Sequence, residues 1–324
     1  MPQRYTIDPE RIAANRRRNV FHAVLLSAAL IGLLALIGWF LAGVVGVVWI
    51  GALAFLALWM GPQISQRLLL QIYSTRELRR EEVPLLYEVV DDLVERAGLS
   101  TRPRLSYIPS RLMLAFTVGR PHEFTMALSD GLLRGLSGRE IAAVLAHELS
   151  HVAHGDLRLM ALADFITKVT RTLALLALIL IAINVPYMAE GGVPVPWPAV
   201  LALAVTPLVS LLLQLALSRT REYDADTGAA ALTKDPEAVA SALEKMDAQQ
   251  KSAWEAFLGR RARLDQPSLL RSHPPTEERV QRLSEVAVPR EAEEPKEPPP
   301  DELVPPDVGE VKRPPRRRIT GYRV

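Results

Sequence analysis

Hydrophobic positions along this chain are concentrated in two blocks rather than spread through it. Residues 19–66 contain no Asp, Glu, Lys or Arg and are dominated by Leu, Ala, Val, Ile and Gly. A helix crossing the hydrocarbon core needs about 20 apolar residues at roughly 1.5 Å each, so this block predicts two spans, with a turn near Gly43 to Gly46. Residues 172–189 and 191–218 are also uncharged and flank a loop containing Glu190, Gly191, Gly192 and Pro194, which predicts a second hairpin. Buried core helices usually keep a polar stripe, and the apolar part of a signal peptide is only about 7–15 residues long, so neither alternative fits. Trp39, Tyr187 and Trp197 fall near the span ends on one side, where amphipathic rings favour the interface.

Basic residues set the expected orientation. Arg11, Arg16, Arg17 and Arg18 precede the first span, and Arg67, Arg76, Arg79 and Arg80 follow the second. Lys168 and Arg171 precede the third, while Arg219 and Arg221 follow the fourth. The connecting loops carry no basic residue, so the positive-inside rule places both termini and the polar segments in the cytoplasm; the expected location is the plasma (inner) membrane, as a multi-pass protein.

The polar segments have their own periodicities. Residues 82–97 read as a helix, with Pro84 in its first turn and Leu85, Val89 and Leu93 at four-residue spacing. Short extended runs at 105–108, 114–118 and 124–128, bounded by Pro103, Pro109, Gly119 and Pro121, read as strands. Ser137 and Glu140 form a capping-box pattern, and Gly155 supplies a stop, so 138–154 is expected to be helical. From about Pro289 the chain is rich in proline, acidic and then basic, and it cannot bury a core, so a disordered tail is expected. The implied organisation is a cytoplasmic N-terminus (1–18), a hairpin (19–66), a first catalytic segment (67–171), a hairpin (172–218), a second catalytic segment (219–288) and the tail (289–324).

Composition changes this picture in two respects. Over 324 residues the mean hydropathy is only +0.13, which averages apolar hairpins with charged segments. Zero cysteines exclude disulfides, thiolate metal clusters and a cysteine nucleophile. A net charge of +2 gives no basis for nucleic-acid binding.

The candidate chemistry lies in the helix at 138–154, which contains His147, Glu148, Leu149, Ser150 and His151, the HExxH pattern. A four-residue spacing stacks the two imidazoles on one face, where both can reach a zinc ion at roughly 2.0–2.1 Å. Glu148 stands between Val144 and Val152 among apolar neighbours, where a carboxylate needs a partner; in this motif that partner is water at the metal, which the Glu deprotonates. A hydrolytic site needs a third protein ligand and an open position. His154 and Leu157 do not continue the metzincin pattern. The best downstream segment is 218–230, where Glu222 and Asp226 lie one turn apart with Ala225 and Ala229 as small packing positions; one carboxylate could ligate while the other orients a histidine or arginine.

Four stretches carry a resemblance to the HtpX-type membrane zinc metallopeptidases, relatives of the CAAX prenyl endopeptidases. They are HELSHVAHGD at 147–156, SRTREYDAD at 218–226, HPPTEERVQRL at 273–283 and AFTVGR at 115–120. The resemblance implies one zinc ion per chain, held by His147, His151 and Glu222, with Glu148 as general base. It implies that Asp226 supports His147 or pairs with Arg279, and that His273 lies near the developing oxyanion, the alternative for His273 being a structural role at a helix start before Pro274 and Pro275. The implied fold is an α-helical membrane protein carrying an α+β zincin-like (gluzincin) domain, with a small sheet beside the HExxH helix. Many relatives carry Asn where this chain has Leu114, just before Ala115, Phe116 and Thr117 in the expected substrate strand, for which Phe124 to Leu128 is the alternative.

The expected activity is cleavage of cytoplasmic segments of membrane proteins, misfolded ones among them, with the lipid bilayer as the other partner. The rival readings are a prenyl-CAAX-type peptidase and a non-catalytic membrane-anchored zinc sensor or scaffold.

Overall fold

The computed structural model describes residues 4–7, 9–120, 122–189, 197–258 and 274–290. The tail beyond Arg290, the loop at 190–196 and His273 lie outside the described residues. The described chain is mostly helical with a small mixed sheet. In order it forms β1 (Arg4–Ile7), α1 (Pro9–Ile72), β2 (Arg76–Glu77), α2 (Pro84–Arg96), β3 (Arg104–Ile108), β4 (Ala115–Arg120) and β5 (Glu123–Ser129). There follow α3 (Asp130–Gly135), α4 (Gly138–Ala153), α5 (Asp156–Ala189), α6 (Trp197–Thr233), α7 (Pro236–Leu258), α8 (Thr276–Val286) and β6 (Ala287–Arg290).

Helix α1 is two helices joined at a break. Ala42 and Gly43 leave helical geometry, Gly43 at φ 58° and ψ −140°. A Cβ added at Gly46 would lie 2.0 Å from the Gly38 carbonyl oxygen. Eight residues of unbroken helix would separate these backbones by about 12 Å, so the chain doubles back here, within one residue of the expected turn. Only glycine accepts that dihedral pair without strain. Among the described residues, Arg17–Trp39 is long and apolar enough to cross a membrane, whereas the apolar return segment Ala42–Leu56 is shorter.

Helix α4 begins as its sequence dictates. Ser137 Oγ accepts from the Glu140 amide while Glu140 Oε2 accepts from the Ser137 amide at 2.8 Å. Ile141, Leu145, Leu149 and Val152 are buried against the main core, and Gly155, at φ +75°, ends the helix. In α2 the buried residues are Leu86, Val90, Leu93 and Val94; of the expected stripe Leu93 is among them, while Leu85 and Val89 are partly buried against the same core, because both α4 and α6 pack on this helix.

The main sheet has the order β2-β3-β5-β4, with β3 and β5 parallel and the other pairs antiparallel. Strand β4 therefore forms an edge, and it packs against α4 and α1. Strands β1 and β6 pair antiparallel, joining the two ends of the described chain. The beginning of the expected tail is thus extended strand up to Arg290. Backbone pairing between residues this far apart leaves no local signature.

A second small core, formed by Leu30, Leu34, Ala163, Ile166 and Leu217, binds α1 to α5 and α6. Both later helices run past the expected segment boundaries. Helix α6 is continuous from Trp197 through its apolar half into Glu222 and Asp226.

Candidate metal centre

Three side chains converge on one point. His147 and His151, one turn apart on α4, turn their rings edge-on with centroids 4.7 Å apart. Their Nε2 atoms lie 3.1 Å apart. Glu222 of α6 brings Oε2 to 3.6 Å from His147 Nε2 and Oε1 to 3.8 Å from His151 Nε2. One ligand atom from each of the three falls within a 4.8 Å cluster. The approach of α6 to α4 depends on Gly228, where an added Cβ would sit 1.9 Å from Ser150 Oγ.

The far side of each imidazole meets a carboxylate. His151 Nδ1 is 2.8 Å from Asp156 Oδ2, and His147 Nδ1 is 3.1 Å from Asp226 Oδ1. Such partners favour the tautomer with hydrogen on Nδ1, which turns both Nε2 lone pairs into the shared space. Two lone-pair nitrogens and a carboxylate facing one another repel unless a cation lies between them. This donor set therefore fits a metal of zinc-like ligand preference. Burial lowers the basicity of His151, but the Asp156 hydrogen bond and the charges of Glu222, Glu148 and Asp156 outweigh it, so its pKa is raised.

Arg279 of α8 closes the outer layer. Its Nε and Nη2 donate to Asp226 Oδ2 and Oδ1 at 2.7 and 2.6 Å, and Nη2 stands 3.2 Å from Glu222 Oε2. Asp226 thus lies against His147 and Arg279 at once. Burial raises the Asp226 pKa, but the charge and hydrogen bonds of Arg279, with His147 adding, bring it below the usual carboxylate range.

Glu148 is half-buried, on the α4 face between buried Val144 and Val152. His154 caps the end of α4 beside Ser150 and stands outside the ligand cluster. Ala115, Phe116 and Thr117 lie on the edge strand β4, and Leu114 precedes it. Ala225 and Ala229 are fully buried packing positions, as the sequence suggested.

Two residues of the site were not singled out for it from the sequence. Asp156 contacts His151, and Arg221 donates from Nε to Asp156 while reaching Asp224 Oδ2 at 2.8 Å. The Gly155–Asp156 pair after the HExxH helix carried a local signal, a helix stop followed at once by a carboxylate. Arg221 read only as a membrane-flanking charge.

Residues 81–287 match Peptidase family M48. Among the relatives, the Protease HtpX homolog of Ralstonia nicotianae is 32% identical over 287 residues, covering 83% of this chain and 97% of that protein. The Protease HtpX homolog of Pyrococcus furiosus is 31% identical over 285 residues, covering 82% and 94%. A solved structure, Ste24p of S. mikatae, aligns at a TM-score of 0.48 and 16% identity over 86% of this chain and 67% of that one. That likeness is too loose to add weight. On the family match and the length of the sequence likeness, the chain belongs to Peptidase family M48 and is a metallopeptidase.

Proposed function

We propose that the chain is a membrane-embedded zinc endopeptidase that cleaves cytoplasmic segments of membrane proteins, misfolded ones included. The observation carrying this reading is the facing pair of imidazole nitrogens with Glu222 beside them, each imidazole backed by a carboxylate. His147, His151 and Glu222 hold zinc, while Asp226 and Asp156 orient the imidazoles. When bound, the ion supplies Lewis acidity, which acidifies the attacking water and polarises the scissile carbonyl.

Glu148 takes the proton from the attacking water and passes it to the leaving amine nitrogen. Arg279 keeps Glu222 and Asp226 in place. Strand β4 receives the substrate backbone in extended form through Ala115, Phe116 and Thr117, a mode that needs main-chain hydrogen bonds and no amide side chain at position 114. His273 is assigned to the developing oxyanion on the resemblance to HtpX-type enzymes.

A membrane setting is supported by the apolar stretch Arg17–Trp39 and by outward-facing side chains such as Phe21, Val24, Leu25 and Ile31, each more than half exposed. In this reading α1 contributes two spans and α5 with α6 two more, both termini lie in the cytoplasm, and the metal residues sit close to the membrane face. Continuity of α6 supports that last point, because Glu222 is five residues past Leu217 on one helix, about 8 Å along its axis.

The test is proteolysis of an unfolded polypeptide in detergent by wild type and Glu148→Gln, alongside metal analysis of both. The variant is expected to keep zinc and lose about 10²–10⁴-fold in rate. Equal cleavage by the two proteins would rule out the mechanism.

A further inference from the structure

A line of buried polar side chains runs from the first apolar helix to the metal centre. Asn19, near the start of the stretch Arg17–Trp39, donates from Nδ2 to Asp224 Oδ1 at 2.7 Å. Asp224 Oδ2 accepts from Arg221 Nη1 at 2.8 Å, and Arg221 Nε donates to Asp156 Oδ1. Asp156 Oδ2 then meets His151 Nδ1 at 2.8 Å. Asn19, Asp224, Arg221 and Asp156 are all buried, and the line crosses α1, α6, α5 and α4.

A helix that served only as an anchor would have no use for a buried amide, which is costly away from water unless it is hydrogen-bonded. Here the amide meets a carboxylate 205 residues further along the chain. Arg221 holds one carboxylate on each side, so its position depends on both. The neutral donor of Asn19 fixes Asp224 without adding charge, which leaves Arg221 to hold Asp156 and leaves the surplus negative charge of the line directed at the His151 N–H.

We propose that Asn19 is a positioning residue for the active site: the seating of α1 against α6 orients Asp156 through Asp224 and Arg221, and thereby sets the His151 imidazole at the metal. The first membrane helix is then part of the metal-holding apparatus as well as an anchor. This rests on the reading of His151 as a metal ligand.

The experiment measures zinc affinity of the full chain in detergent by competition with a chromophoric chelator, with circular dichroism to confirm folding. Asn19→Ala is expected to weaken zinc binding roughly three- to tenfold, below the about 10–100-fold typical when a group touching the ligand is lost. Ser27→Ala, on the same helix with its hydroxyl bonded to the Ala23 carbonyl, is expected to leave affinity unchanged. With Asp156→Asn already present, Asn19→Ala is expected to add less than about twofold, because the link is already cut. The exchange Asn19→Asp with Asp224→Asn keeps the charge count and the hydrogen bond, and it is expected to bind zinc more tightly than either single variant.

If Asn19→Ala binds zinc like Ser27→Ala while His151→Ala loses it, the line has no positioning role and the ligand assignment stands. Full multiplication of the Asn19→Ala and Asp156→Asn effects would overturn it equally. Wild-type affinity in His151→Ala would overturn the ligand reading and this proposal together.

Discussion

Arg279→Met isolates the outer layer of the candidate metal centre, because it removes one guanidinium and leaves the buried carboxylates it serves. Arg279 is 7% exposed and Asp226 2% exposed, and two hydrogen bonds of 2.7 and 2.6 Å join them. Removing one partner of such a pair costs about 3–5 kcal/mol, since the remaining charge loses its compensation without regaining water. Glu222, 3.2 Å from the same guanidinium, adds to the loss.

The pH dependence has a definite sign. Asp226 is held below its ordinary pKa in the folded chain, so its contribution is present above the unfolded-state carboxyl value of about 3.9 and is lost as pH falls through the folded value. Without Arg279 the largest opposing cause, burial, raises that carboxyl, and the variant relieves its own penalty by taking up a proton. The gap between wild type and variant is therefore full at neutral pH and narrows towards about pH 4. Denaturant unfolding of chelator-treated protein in detergent at several pH values measures it. Asp226→Asn combined with Arg279→Met should be less destabilised than Arg279→Met alone, because Glu222 is then the one stranded carboxylate of the two the guanidinium served. A loss below about 1 kcal/mol at pH 7, or a gap independent of pH, would refute the reasoning.

Two further outcomes can be checked by the same means. Glu140 accepts from the Ser137 amide and from Lys245 Nζ at 2.7 Å, and these contacts with Ser241 outweigh burial and lower its pKa. Its stabilisation should fade as pH falls through that lowered value, and the unfolding profile of Glu140→Gln should lose this acid-side slope while lying lower at pH 7. Gly228→Ala should separate α6 from α4 and lower both stability, by about 1–3 kcal/mol, and metal affinity; Ser150→Gly in the same chain should restore part of each, as read by unfolding and by chelator competition.

Features whose causes are local could be read directly from the chain. The capping box at Ser137 and Glu140, the stop at Gly155 and the one-turn spacing of His147 and His151 all act within a few residues, and α4 forms as they specify. The reversal at Gly43 was legible near Gly43 to Gly46 because a charge-free run of that length holds two spans and must turn between them. The stripe on α2 was read in part: Leu93 is buried and Leu85 and Val89 are partly buried, but Leu86, Val90 and Val94 lie deeper, because the buried face is chosen by which helices arrive on each side. Helix α3, capped by Ser129, was missed since it spans under two turns and follows its strand without a break.

The sequence by itself determined the residue types of the candidate metal centre, the helix presenting two of them, and the apolar blocks. Tertiary structure alone decided the rest: that Glu222 faces the imidazoles rather than solvent, that Asp226 touches His147 and Arg279 at once, and that Asp156 and Arg221 tie His151 to Asn19. Each of these contacts joins a carboxylate, guanidinium or amide to a group on another element. Their one-dimensional pattern is that of ordinary surface charge, and only close packing of α1, α4, α5, α6 and α8 removes the water that would otherwise make them independent.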